Sequence, residues 1–188
     1  MALQKLPAIF VTTEHLLIGQ AATRGWRLLE TLTDPNSEYV QIDDVHVARR
    51  ESKGSRLTTL PHVVLRKHAL LMAVLGGGKH ESPELRRFAF VDKRNYPAFL
   101  IISGYEIEGR LQLRGTPDPT SAISQELKTF IPITRATISH AGGNGEPLAA
   151  SVVLCNRDHI AAIHIGEALR DGGPAEDRFK VASTQAGG

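Results

Sequence analysis

Apolar and polar positions alternate with a period of two over much of this chain, the spacing that puts every second side chain on one face of a strand. In the first half this predicts strands at Ala8 to Thr12, His15 to Ala22 and Tyr39 to Ala48, then two more at His62 to Arg66 and Ala69 to Leu75. A short helical turn is predicted near Arg27 to Leu32, and a polar loop, Arg49 to Thr59, follows the third strand. Gly19 falls inside the second strand, where a glycine marks a bulge or sharp bend. Asp34-Pro35-Asn36-Ser37 reads as a turn, because proline fixes φ and the short polar side chains bond the local backbone.

The same text is then written again. "PAIFVTTEHLLIGQAATRG" (7–25) lies over "PAFLIISGYEIEGRLQLRG" (97–115), sharing Pro7 with Pro97, Ala8 with Ala98, Gly19 with Gly109, Arg24 with Arg114 and Gly25 with Gly115. "YVQIDDVHVAR" (39–49) lies over "FIPITRATISH" (130–140), and "VVLRKHALLMAV" (63–74) over "VVLCNRDHIAAI" (152–163). A tandem duplication of one small β unit is the expectation. It divides the chain into a first unit at 1–76, a linker at 77–89, a second unit at 90–166 and a C-terminal tail at 167–188. Ser82 and Pro83 would cap a short helix in the linker, and "SAISQELKT" (121–129) replaces the Asp-Pro turn with a more helical segment.

Composition changes this picture little. Hydrophobic residues make up 41% of the 188 and charged residues 22%, ordinary for a globular chain, and the net charge of +2 names no polyanionic partner. The longest apolar runs fall well short of the roughly 20 residues that span a bilayer. With no secretory h-region at the N-terminus, a cytoplasmic location is expected. The single cysteine, Cys155, allows neither an intramolecular disulfide nor a cysteine-built zinc site.

Chemistry is sparse. "AVLGGGKHES" (73–82) follows a strand but has Ala73 where a phosphate-binding loop needs its first glycine and His80 where it needs Ser or Thr, so it reads as linker. The histidines lack metal-ligand spacing, and His159 and His164 fall on opposite strand faces. Asp43 and Asp44 are adjacent strand residues that should point apart, which removes an acid/base pair. Cys155 reads as a buried inert thiol, and no serine sits in a nucleophile elbow. The chain is therefore expected to be no enzyme, with no catalytic residue, no metal and no cofactor.

"HVVLRKHALLMAVL" (62–75) resembles the second signature of the Sm-like family in its bacterial Hfq form, where an apolar strand runs into a Lys-His step before the last strand; here the step is Lys67, His68, Ala69, Leu70. "VVLCNRDHIAAIHI" (152–165) is similar to the archaeal style of that signature, with Asn156 and Arg157 at the turn. "YEIEGRLQL" and "FIPITRATI" resemble the first signature. The string "EIEGRLQL…FIPITRATISHAGG…SVVLCNRDHI" also resembles an uncharacterised prokaryotic family of β-rich domains, to which "RLLETLTD" and "YVQIDDV" fit in the first unit. That second family implies no activity. The resemblance implies a mainly β fold of two tandem small β-barrel-like (Sm-like) units with short helical turns.

Two functions follow from it. The first is a non-enzymatic protein interaction or assembly module, because small barrels expose their first and last strands and exposed edges pair. Leu70, Leu71, Met72, Val74 and Leu75 in one unit, with Ile160, Ile163 and Ile165 in the other, are the expected pairing residues. Partners are then other copies of the chain, three of them closing a six-unit ring, and other proteins. The alternative is an Sm-like RNA-binding protein. There Arg49, Arg50, Lys53 and Arg56 of the polar loop, Arg66, Lys67 and His68 of the first signature, and Asn156 and Arg157 of the second would contact the strand. A low aromatic content of 5% and the carboxylates Asp43 and Asp44 count against it.

Overall fold

The computed structural model describes residues 5–23, 25–50, 56–76, 93–114, 128–141 and 145–166. The linker, the 121–127 part of the helical segment, and the C-terminal tail lie outside them. In chain order the elements are β1 (Lys5–Thr12), β2 (His15–Ala22), α1 (Leu28–Thr33), β3 (Tyr39–Arg49), β4 (Arg56–Arg66) and β5 (Leu70–Leu75). There follow β6 (Lys93–Ile102), β7 (Tyr105–Arg114), β8 (Phe130–His140), β9 (Leu148–Asn156) and β10 (Ile160–Ile165). A 3₁₀ turn precedes each last strand, at Lys67–Ala69 and Arg157–His159. His159 thus lies in a turn rather than a strand, and β4 starts inside the stretch expected to be loop.

All ten strands form one antiparallel sheet in the order β10-β6-β7-β8-β9-β5-β1-β2-β3-β4. The mainly β class holds, while the two expected β-barrel-like units are joined in one sheet that does not close. The sheet is open, because β4 does not return to β5. That side of β5 is taken by β9 from the other half of the chain. Pairing order within β6–β10 matches that within β1–β5.

The strand glycines explain how so long a sheet bends. The β2–β3 register shifts between Ile18 and Gln20, and the β7–β8 register between Glu108 and Arg110. Opposite each glycine the partner strand carries a left-handed residue, Asp44 at φ 53° and Arg135 at φ 50°, as a bulge requires. A Cβ on Gly19 would stand 2.8 Å from the Asp43 carbonyl oxygen, and one on Gly109 2.5 Å from Ile133 Cγ2. Neither position has room for a side chain.

The Asp44 bulge also overturns the expectation that Asp43 and Asp44 point apart. With alternation broken, Lys5 Nζ lies 3.3 Å from Asp43 Oδ2 and 3.9 Å from Asp44 Oδ2. Asp43 is held below the usual carboxylate range by a hydrogen bond from Gln41 and by Lys5, against a smaller opposing effect of burial.

Strand pairing sets the register in which the two halves of the sheet match. Val40 sits opposite Leu65 in β3–β4, and Ile131 opposite Cys155 in β8–β9. Leu65 therefore corresponds to Cys155, and Val64 to Leu154. The sequence match of Val63 with Val152 is off by one. Register is a stricter guide than the shared Val-Val-Leu, because a one-residue slip exchanges the faces of a strand.

The buried apolar residues gather in two clusters that do not follow the halves of the chain. One combines Phe10, Leu17, Leu28, Leu32, Ile42 and Leu70 with Phe130 and Leu154 from the second half. The other combines Leu100, Ile107, Ile131, Val153 and Cys155 with Val11, Leu71, Met72 and Val74 from the first.

Candidate functional site

The site is built where β5 meets β9, because that is where one half of the chain recognises the other. Met72 lies opposite Cys155, Ala73 opposite Leu154, Val74 opposite Val153 and Leu75 opposite Val152. Every residue of β5 is buried, since it has a strand on each side and side chains packed over each face. Cys155 shares that environment, and burial pushes its thiol up to about 12. A thiol so placed is inert.

Polar groups lock the junction where β5 begins and β9 ends. Asn156, fully buried at the end of β9, donates from Nδ2 to the Leu70 carbonyl at 2.8 Å and, more weakly, to the Lys67 carbonyl at 3.5 Å. Its Oδ1 accepts from the Asp158 amide at 3.1 Å, so one side chain caps its own turn and holds the facing strand. His159 Nε2 lies 2.7 Å from the His68 carbonyl, and since a carbonyl only accepts, that nitrogen carries the proton. A second polar link joins the halves away from the strand pair: Arg50 donates from Nη1 to Thr13 O and from Nη2 to Ser103 O, each at 2.9 Å, with its guanidinium 4.7 Å above the Tyr105 ring. Tyr105 also meets the His140 ring edge-on, and burial raises its pKa against the opposing charge of Arg50.

Apolar packing completes the seal. Phe130 at the start of β8 is 1% exposed and Leu154 is 2% exposed, both inserted among first-half residues that include Leu28 and Leu32 of α1. Burying side chains of this size stabilises by about 1.5–3 kcal/mol each. The helix that delivers those leucines is held at its start by the Arg27 amide, which donates to Glu30 Oε2 at 3.1 Å.

At the two ends of the sheet the corresponding strands have no further strand paired beside them among the described residues. Tyr39 corresponds to Phe130, and it is 47% exposed; Val64 corresponds to Leu154, and it is 61% exposed. Leu60 and Leu57 on β4 are exposed as well. At the far end, β10 leaves Ala161, Ala162 and His164 exposed and Ile160 and Ile163 half-buried. Of the expected pairing residues, those of β5 are consumed inside the chain, while Ile160, Ile163 and Ile165 lie on an outer strand.

The expected nucleic-acid residues do not converge on one surface groove. Arg50 and Asn156 serve the junction. Lys67 is buried, its Nζ donating to the Asp34 carbonyl at 3.0 Å, and burial lowers its pKa against the pull of Asp34. Arg66 reaches Glu38 at 3.3 Å and lies 5.8 Å from the centre of the Tyr39 ring. Arg157 stands 3.9 Å from Asp158, while His68 and Arg49 are exposed. Arg56 opens β4, and Lys53 lies outside the described residues. Among the described residues no group of three or more His, Cys, Asp or Glu is placed to hold a metal, and no helix is long and apolar enough to cross a membrane.

Sequence reasoning missed Tyr39, Val64, Ser103 and Tyr105. Tyr39 already lay over Phe130 in the sequence match, whereas placing Val64 over Leu154 needed the strand register. Compared with protein-family models, curated proteins and solved structures, the chain matches none.

Proposed function

We propose that this chain is an assembly module, made of two copies of a small β unit related to the Sm-like pattern, that works by joining sheet edges. One observation carries the reading: β5 and β9 already make such a join within the chain, and the strands corresponding to them, β10 and β4, terminate the sheet. An edge strand presents unpaired N–H and C=O groups along its length, and proteins that do not use an edge block it. Here Pro61 interrupts β4, and the stretch after it, His62 to Leu65, offers the exposed Val64 instead of a row of charges. The interaction is with protein, and the chemistry is backbone pairing sealed by apolar side chains.

RNA binding is the weaker reading, because Arg50, Lys67 and Asn156 spend their polar groups on carbonyls of the fold. Size-exclusion chromatography with light scattering on protein from its native source tests both. The expected result is a nucleic-acid-free particle heavier than one chain. A particle whose absorbance at 260 nm exceeds that at 280 nm, and which sheds RNA in high salt, would overturn the assembly reading.

A further inference from the structure

We infer that the partner at each free edge is a second copy of this chain, with β10 of one copy pairing antiparallel to β4 of the next and Tyr39 and Val64 of the latter seated against Ile160 and Ile163 of the former. The inference rests on the assembly reading and names its partner. Its template is the internal junction. Transferring the β5–β9 register to the corresponding strands sets Ala162 opposite Leu65, Ile163 opposite Val64, His164 opposite Val63 and Ile165 opposite His62.

The side chains favour this occupant over an unrelated protein. Within the chain, Phe130 and Leu154 are almost fully buried by the half that supplies β5, whereas their counterparts Tyr39 and Val64 stand about half exposed or more with no such half beside them. The surface that would receive them belongs to the same molecule, because β10 occupies beside β6 the place that β5 occupies beside β1. Ile160 and Ile163 are half-buried there, at the points corresponding to Leu70 and Ala73, which belong to the cluster that encloses Phe130 and Leu154. Exposed apolar residues at one end of a sheet and half-buried ones at the other suit a head-to-tail contact, in which each copy gives one edge and receives the other.

The polar contacts do not all transfer, so the contact between chains is looser than the one within. Arg66 stands where Asn156 stands, and Ala69 where His159 stands. Arg66 has the reach to donate to the Ile160 carbonyl of the next copy, the acceptor corresponding to Leu70. Ala69 has nothing to donate.

Two substitutions at exposed positions test the inference without disturbing the fold: Val64→Glu blocks the β4 edge and Ala162→Glu blocks the β10 edge. The wild-type chain should run by light scattering at a multiple of 20.5 kDa. Each variant alone should run as a single chain with unchanged circular dichroism. Mixed in equal amounts they should form a particle of two chains and no more, because each supplies the one edge the other lacks. If either variant unfolds, Tyr39→Ala, which only trims an exposed ring, should still weaken self-association at least tenfold by dilution. A wild-type chain of single-chain mass at micromolar concentration would overturn self-pairing and leave assembly with other proteins standing. A heavier particle whose mass neither Glu substitution changes would overturn edge pairing and leave assembly itself intact.

Discussion

β5 and β10 close the two halves of the chain in the same way, each following a 3₁₀ turn and lying antiparallel to the first strand of its half. Yet β5 is buried at all six positions, and β10 is exposed at three. The difference comes from what lies on the far side. β5 has β9 beside it, along with the lock of Asn156 and the inserted Phe130 and Leu154; among the described residues β10 has no strand on that side. Burial of a strand in this protein is set by its neighbours as much as by its own residues. Even so, β10 contains Ala161 and Ala162 where β5 contains Leu71 and Met72, so its composition already reflects a less enclosed place.

That comparison breaks most sharply at the inserted side chains. Leu154→Ala should cost about 2–5 kcal/mol of unfolding free energy, because the cavity it leaves is enclosed by both halves. Val64→Ala at the corresponding exposed position should stay within about 0.5 kcal/mol. Urea titration at a dilution where chains are separate measures both, and equal costs would mean that the two edges are equally covered.

The bends come next. Gly109→Ala sets a Cβ against Ile133 and the Thr134 carbonyl, and Gly19→Ala sets one against Ile42 and the Asp43 carbonyl, so each should cost about 1–3 kcal/mol. Thermal unfolding of the two variants checks this, and a neutral result at either would show that its bulge can relax.

A comparable effect is expected at the polar lock. Asn156→Ala leaves the Leu70 carbonyl without its donor and should cost about 1–3 kcal/mol, while Arg66→Ala, which breaks only an exposed ion pair with Glu38, should cost about 0–1 kcal/mol. Unfolding midpoints in urea decide between them. If the two losses were equal, the buried amide would not be holding the junction.

The gentlest probe is Cys155. Its folded pKa is raised from the ordinary 9.0 to about 12, so the folded chain holds the proton that the unfolded chain releases. Its contribution to stability is full below about pH 9 and is lost as pH rises toward 12. Comparing the melting temperature of wild type with Cys155→Ala across that range should show the wild type falling more steeply. At neutral pH the thiol should react with a disulfide reagent only as fast as β5 and β9 separate, whereas a cysteine placed at Leu65, the corresponding point on the free edge, should react sooner.

Local backbone chemistry was legible in the chain. β2 runs over the residues its alternation marks, Gly19 and Gly109 stand at the bends, and Asp34 accepts from the Asn36 amide at 2.9 Å in the turn that Asp-Pro-Asn implies. Such features depend on φ, on side-chain periodicity and on contacts a few residues apart, and these are written in sequence order. The likeness between the windows at 7–25 and 97–115 was legible for the same reason.

Only the tertiary structure decided how far each strand's neighbours reach. Whether β5 turns back to β4 or accepts β9 depends on groups some eighty residues apart, and both choices satisfy the same local pattern. Register needed pairing too, since Val63 and Val152 look alike in text and differ by one place in the sheet. Arg50 and Asn156, which read as surface charge and turn, became junction locks once Ser103 and Leu70 were brought within 3 Å of them. A side chain's type announces what it can donate or accept. Which carbonyl lies within its reach is fixed only when the distant strands have met.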